Sequence, residues 1–460
     1  MSFGGIGNLL IGDRKVQDFF RYRGHNFYWT MEREFQFGDW KSSSLYQMNW
    51  WFSHLLSPKK PPPKADIILY NTSLGRRKEG SKFLSPYFQP LEPYLKGKAL
   101  EVSHIDTKSY LNPFIYRLFD YKNTYPVNSV LDATAMQEEE KMRMVSYDMW
   151  NDVSRGIWKM FGDIPHLQLQ AIYERCLCEA VRNYWAFRRL IKETEAKTLV
   201  TLSYTDRYNI SAVCAAKDEG IRSVMFLHGR KADITEIPAD YPLPDIFCTY
   251  GRKDTEDYIN AGVPKEIIRI TGNPQFDSTV HFLGNEVSLK RKYRLPEDRK
   301  IILYVAVTCY KPMQETGEHE LNIKNTMASI DPEKHFVAVK LHPDEDQSAP
   351  LYRKYKTDSM GIYKKDTDML ELMRASDIIV IKMSTAGVEA SIMGKDIILL
   401  GFHNTENLSP LAEYGFPIAT TAEQMKKLLE NPDCSDVRKR FLEDNVANLG
   451  NASEKVAGLI

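Results

Sequence analysis

The chain has 460 residues, 43% hydrophobic and 27% charged, and Lys+Arg and Asp+Glu both total 61, so the formal net charge is zero. That length supports two or more domains with sizeable cores, while the even charge argues against a nucleic-acid binder, whose domain carries a basic excess. The six cysteines, Cys176, Cys178, Cys214, Cys248, Cys309 and Cys434, lack paired metal-ligand spacing, so buried thiols in a reducing cytosol are expected rather than zinc.

The first 64 residues read as an aromatic-rich helical extension with turns at Gly24 and Gly38. Gly4, Gly5, Gly7 and Gly12 follow no strand and therefore form no phosphate loop. All seven tryptophans fall between Trp29 and Trp185, and Trp50-Trp51-Phe52 precedes Pro58-Lys59-Lys60-Pro61-Pro62-Pro63-Lys64. Aromatics beside lysines suit either peripheral contact with the inner membrane face or an ordinary core. No stretch reaches the roughly 18 apolar residues of a span, and the N-terminus lacks a leader pattern. A cytoplasmic protein is expected.

The proline run reads as a connector. After it, Ala65 to Tyr70 and Ala99 to Val102 read as strands, Tyr116 to Phe119 as a third strand or a short helix, and Met136 to Lys197 as helical. From Lys197 the alternation becomes regular. Strands are predicted over Thr198 to Leu202, Ser223 to Leu227, Asp245 to Thr249 and Ile267 to Thr271, with helices over Ser211 to Asp218 and Asp254 to Ala261. Right-handed crossovers then build a parallel sheet. Its strand ends carry three polar loops: Ser203 to Arg207, His228-Gly229-Arg230-Lys231, and Gly272-Asn273-Pro274-Gln275-Phe276-Asp277.

The charged run from Lys290 to Lys300 reads as a solvated hinge. A second series follows: strand Ile301 to Val307, helix Leu321 to Ser329, strand Phe336 to Leu341, helix Thr367 to Arg374, strand Ile378 to Ile381, a helix, and strand Ile397 to Leu400. The fold class is therefore α/β, with two doubly wound domains facing a cleft: residues 65–285 on the acceptor side and 286–460 on the nucleotide side.

Ligands bind outside the carboxyl ends of such strands, where helix N-termini offer free N–H groups to an anion. Ser384 and Thr385 fall at that point. Their hydroxyls and the amides of Ala386 and Gly387 suit a phosphate, and Glu389, one turn in, suits a ribose. Helix capping is the plainer use of Ser384 or Thr385. A capping box places its acid three residues after the cap, whereas Glu389 is five after Ser384 and four after Thr385, so capping leaves the acid unexplained. His342-Pro343 ends another strand of the same sheet and points to the same region. Lys340 and Lys382 are further candidates for the leaving phosphate. No carboxylate cluster suits a metal, and Asp344, Glu345 and Asp346 read as an exposed acidic loop.

The order of His228-Gly229, His342-Pro343 and Ser384-Thr385 at strand ends resembles the GT-B glycosyltransferases, especially a bacterial surface-polysaccharide branch. That branch contains the capsule polysaccharide and polysialic acid transferases and the CDP-glycerol glycerophosphotransferases. Gly272-Asn273-Pro274 is also similar to a loop of the non-hydrolysing UDP-N-acetylglucosamine 2-epimerases. The resemblance covers roughly residues 197–401.

It implies a metal-independent transferase without cofactor, moving a sugar from a CMP-, UDP- or GDP-linked donor to a glycan or lipid-linked surface acceptor. His342, Pro343, Ser384, Thr385 and Gly387 would contact the nucleotide, Glu389 its ribose, and Gly272, Asn273 and Lys340 would border the site. Asp206 or His228 would serve as base. The basic run after His228 favours anion contact there and leaves Asp206 as the base. Two alternatives stand beside sugar transfer: a polyol-phosphate transferase using a CDP-activated donor, and a non-catalytic nucleotide-sugar-binding protein. The polyol-phosphate transferases usually carry more aromatic and threonine residues around the His-Gly pair, so sugar transfer leads.

Overall fold

The computed structural model describes residues 10–11, 14–15, 61–71, 77–79, 82–85, 87–103, 124–160, 166–203, 207–227, 237, 239, 241–306, 316–342, 349–364, 367–382, 384–403 and 409–460. The strand or helix expected over Tyr116 to Phe119 lies outside them, as do Trp50, Trp51, Cys309 and the acidic loop Asp344 to Asp346.

Among the described residues, seven strands form one parallel sheet: β1 (Ile67–Tyr70), β2 (Ala99–Ser103), β3 (Thr124–Pro126), β4 (Thr198–Thr201), β5 (Arg222–Phe226), β6 (Ile246–Thr249) and β7 (Ile268–Ile270). Their order is β7-β6-β5-β4-β1-β2-β3. Short apolar runs such as Ile67–Tyr70 are buried throughout, as parallel strands covered on both faces must be. Two long helices, α1 (Ala133–Met160) and α2 (His166–Thr194), connect the edge strand β3 back to the centre at β4. They replace the single helical region expected from Met136 to Lys197. Cys176 and Cys178 lie on α2 and are buried. Helix α3 (Arg207–Asp218) follows β4 and α4 (Arg252–Asn260) follows β6.

After β7 come two short helices, α5 (Pro274–Val280) and α6 (Glu286–Lys292). The stretch read as a solvated hinge is thus partly helical. Leu289 and Lys290 of α6 are buried, and the Lys290 ammonium pairs with Glu286 at 3.0 Å. An amphipathic helix can bury an aliphatic lysine stem, while Arg291, Lys292, Arg294, Glu297, Asp298 and Lys300 stay exposed.

The second sheet contains β8 (Lys300–Val305), β9 (His335–Lys340), β10 (Met360–Tyr363), β11 (Ile378–Ile381), β12 (Asp396–Leu400) and β13 (Ile418–Ala419), in the order β10-β9-β8-β11-β12-β13 with parallel pairing throughout. Helix α7 (Thr316–Ser329) follows β8, α8 (Ala349–Lys354) follows β9, α9 (Met369–Arg374) follows β10, and α10 (Ala386–Ile392) follows β11. In each sheet the chain starts at a central strand, winds outward, then returns to the other side. The reversal falls between β1 and β4 in the first sheet and between β8 and β11 in the second, the topological positions where such folds take ligands.

Helices α11 (Ala422–Glu430), α12 (Ser435–Asn445) and α13 (Ala452–Ala457) follow β13. The last of these returns to the first sheet. Val456, Leu459 and Ile460 pack with Ile67, Leu69, Val200 and Phe226, and the Thr198 hydroxyl donates to the carbonyl of Ile460 at 3.1 Å.

Candidate functional site

At the carboxyl edge of the second sheet, β8 ends at Val305, β9 runs into Leu341 and His342, and β11 runs into Lys382 and Ser384. Because β8 lies between β9 and β11, His342 and Ser384 stand about two strand spacings apart, roughly 10 Å along the edge. His342 is half-buried; Ser384 and Thr385 are likewise partly open. The ladder continues past the strands: the Ala306 N–H donates to the carbonyl of Lys340 at 3.0 Å. Lys340 itself is buried, and its ammonium donates to the carbonyl of Leu341 at 2.8 Å.

The turn from β11 into α10 is tightly self-bonded. The Ser384 hydroxyl accepts from the Ala386 N–H at 3.1 Å, the Ser384 carbonyl accepts from the Gly387 N–H at 3.1 Å, and the Thr385 carbonyl accepts from the Val388 N–H at 2.9 Å. The amides of Ala386 and Gly387, expected to face a phosphate, are therefore engaged within the turn. Ser384 acts as a local cap here, and the Thr385 side chain makes no cap bond. Gly387 has a packing reason: an added Cβ would sit 2.7 Å from Ile381 Cδ1 and 2.8 Å from Leu411 Cδ1. Both atoms are side-chain ends, so a methyl at that position requires Ile381 and Leu411 to move aside.

Beneath the turn, Lys382 and Glu318 form an ion pair with both side chains almost wholly buried. Lys382 directly follows β11, and Glu318 sits in the first turn of α7, the helix that follows β8. The pair thus bridges the two sides of the strand-order reversal. Burial pulls the Lys382 pKa below the usual lysine value. A buried charge of either sign needs such a partner.

Glu389 is 5% exposed, and its Oε1 accepts from Nε2 of Gln275 at 3.1 Å. That bond joins α10 of the second sheet to α5, which follows the first sheet. The loop holding Gln275 is the Gly272 to Asp277 segment, and each of its polar residues has a definable place. Gly272 has φ +76°, and a Cβ there would approach the Ala447 carbonyl oxygen to 2.2 Å. Asn273 is buried and caps α5, its Oδ1 accepting from the Gln275 N–H at 3.1 Å. Asp277 accepts from the N–H groups of Ala452 at 3.2 Å and Ser453 at 2.7 Å, which open α13.

The structure therefore brings Glu389 together with the Gly272–Asn273 loop, and aligns His342, Lys340, Ser384 and Thr385 along one sheet edge. Asp206, His228 and Pro343 lie outside the described residues. Gln275 and Glu318 were not singled out by sequence. Gln275 sat inside a flagged loop, but its role depends on a residue far away in the chain, and a single acid such as Glu318 at a helix start carries no signal beyond dipole preference. Among the described residues no group of three or more His, Cys, Asp or Glu side chains is placed to hold a metal, and no helix is long and apolar enough to cross a membrane.

Comparison with known proteins gives this geometry a context. Residues 260–389 match the family model described as CDP-glycerol:poly(glycerophosphate) glycerophosphotransferase. The teichoic acid glycerol-phosphate primase of Bacillus spizizenii is 23% identical over 326 residues, covering 65% of this chain and 81% of that protein. Among solved structures, a variant of the wall teichoic acid polymerase TagF soaked with CDPG superposes with a TM-score of 0.50 at 13% identity, covering 94% of this chain and 95% of that one. The UDP-GlcNAc 2-epimerase of Neisseria meningitidis bound to UDP-GlcNAc gives a TM-score of 0.51 at 14% identity, covering 85% and 98% respectively. The structural likenesses speak for the fold alone, and the sequence match for the branch. The chain has the GT-B fold and resembles the CDP-glycerol glycerophosphotransferases.

Proposed function

We propose that the protein is a transferase of the CDP-glycerol glycerophosphotransferase type, moving a glycerol phosphate unit from CDP-glycerol to a hydroxyl of a teichoic-acid-like acceptor. The observation that carries this reading is the match over residues 260–389, because it spans the Gly272–Asp277 loop, His342, Ser384, Thr385 and Glu389 together. It shifts the balance away from sugar transfer, which led on sequence alone, toward polyol-phosphate transfer.

In this reaction an acceptor oxygen attacks the phosphorus bearing glycerol. The bond from that phosphorus to the bridging oxygen breaks, and CMP leaves with the electron pair. The acceptor proton passes to a base. Charge gathering on the departing CMP phosphate calls for preorganised donors, and His342, Ser384 and Thr385, with Pro343 beside them, are our assignment for that role. Glu389 takes the ribose hydroxyls. Asp206 is the base, and His228, within its basic run, contacts phosphate or acceptor. The protein contributes mainly position and charge stabilisation, as phosphoryl transfer asks.

A thermal-shift panel of CMP, CDP, CDP-glycerol, UDP-GlcNAc and GDP-mannose tests the donor. Ligand at about a hundredfold excess over its Kd stabilises by about 2.7 kcal/mol. CDP-glycerol should give the largest shift, with CMP released when a glycerol-phosphate-primed acceptor is added. A shift confined to UDP-GlcNAc would return the reading to sugar chemistry.

A further inference from the structure

Gln275 is half-buried, yet its Oε1 is fully shielded and has no hydrogen-bond partner, while its Nε2 donates to Glu389. A shielded amide carbonyl without a donor forfeits about 1–3 kcal/mol, so this orientation is costly unless something supplies an O–H or N–H. The orientation is also fixed from two directions. Asn273 accepts from the Gln275 backbone N–H, and the Glu389 carboxylate takes the side-chain amide. Beside the amide stands a carboxylate, a group with about four acceptor sites. A neutral amide donor aims that carboxylate without cancelling its charge.

An amide carbonyl lacking a donor next to a carboxylate is a pair of acceptors. Its complement is a ligand with two adjacent hydroxyl donors. We propose that Gln275 is a specificity-determining residue that reads the cis-diol of the donor's ribose jointly with Glu389, one hydroxyl donating to each. This rests on the reading of Glu389 as the ribose contact. It adds that the pocket for the donor is completed from the first sheet's side, by a residue that sequence places 114 positions away.

The test compares CDP with 2′,3′-dideoxy-CDP, which lacks both hydroxyls, by calorimetry, in the full chain, for the parent protein and for Gln275→Met, which keeps side-chain length while removing both polar atoms. The parent should favour CDP by roughly a hundredfold, and Gln275→Met should cut that ratio by roughly tenfold, the scale of one lost hydrogen bond. A structural role alone would lower melting temperature and leave that ratio unchanged, which would overturn the inference. If Gln275→Met fails to fold, Gln275→Asn, which draws the amide back by one methylene, is read in the same way. Glu389→Gln separates the two readings. A collapsed ratio in Glu389→Gln with an intact ratio in Gln275→Met overturns only the role of Gln275. An unchanged ratio in Glu389→Gln removes the ribose reading itself, and this inference with it.

Discussion

The carboxylate of Asp277 accepts the backbone N–H of Ser453 at 2.7 Å, so a residue just after the first sheet caps the helix that ends the described chain. The same carboxylate also takes the Ala452 N–H at 3.2 Å, and Asp277 is buried. Replacement by alanine leaves two buried helix-start amides without partners. Asp277→Ala should therefore cost about 1–2 kcal/mol, the scale of a lost N-cap, seen as a lowered urea midpoint. Asp277→Asn, which keeps an acceptor oxygen, should recover part of that loss. Equal midpoints for parent and Asp277→Ala would deny the cap any energetic role.

His342→Ala and Glu389→Ala should each weaken CDP binding by about 1–3 kcal/mol through loss of hydrogen bonds to charged groups. Isothermal titration measures this directly. Unchanged affinity in both variants would reduce the sheet-edge cluster to helix capping and packing.

Asp206→Asn should lower turnover by roughly a hundredfold or more, the usual effect of removing a general base, while CDP affinity stays near the parent value. Release of CMP from CDP-glycerol provides the rate. Should Asp206→Asn keep its turnover while His228→Ala loses it at constant donor affinity, the two roles exchange.

Gly387→Ala should cost about 1–3 kcal/mol, as overpacking does in a filled core, because the new methyl meets Ile381 and Leu411 below 3 Å. Its signature is a lower melting temperature with the ribose preference retained. Truncating the contact by Leu411→Ala in the same chain should relieve part of the crowding. A Gly387→Ala protein as stable as the parent would show that the ends of Ile381 and Leu411 move aside freely.

His335 opens β9, is buried, and accepts the Asp331 N–H on Nδ1 at 3.1 Å. Burial lowers its pKa from 6.5, with Lys300 and Lys334 adding to the lowering and Asp331 and Glu430 opposing it. Between that lowered value and 6.5 the unfolded chain binds more protons than the folded one, so stability rises with pH across the window. The contribution is complete above the unfolded pKa and is lost as pH falls through the folded one. His335→Gln keeps an acceptor without titrating. The stability gap between parent and variant should therefore move against the parent on acidification from about pH 7, and a gap constant with pH would exclude His335 as a contributor.

Much of the two-sheet design is visible in sequence because parallel strands buried on both faces are written as short apolar runs. Ile67–Tyr70, Ile378–Ile381 and Asp396–Leu400 are of this kind, and the expected strands overlap them. The strand Met360–Tyr363 went unread because, past the buried Met360, its residues are only partly buried at the sheet edge and carry no unbroken apolar run. Thr124–Pro126 ends in a proline, which counts against a strand except at an edge. The helices after β13 went unread, although Thr421 accepts the Gln424 N–H at 3.1 Å to cap the first of them, a Thr-x-x-Gln start signal that is local. The places of Ser384 after a strand and of Glu389 in the following helix were legible, whereas the bond from Gln275 to Glu389 was not. A hydrogen bond between helices that follow different sheets depends on how two independently patterned units meet, and neither pattern contains that information.

The return of the last helix to the first sheet affects how the chain is made. Ile67, Leu69, Val200 and Phe226 are covered on one face by Val456, Leu459 and Ile460, and Thr198 waits for a carbonyl 262 residues downstream. At ribosomal rates of about 5–20 residues per second, that separation corresponds to roughly 13–52 s of synthesis. Throughout that interval a half-finished apolar layer stays open to solvent and to other nascent chains. Slow translation through the second sheet should therefore raise the demand for chaperones, and truncations that remove α13 should aggregate during synthesis rather than accumulate as a stable first domain.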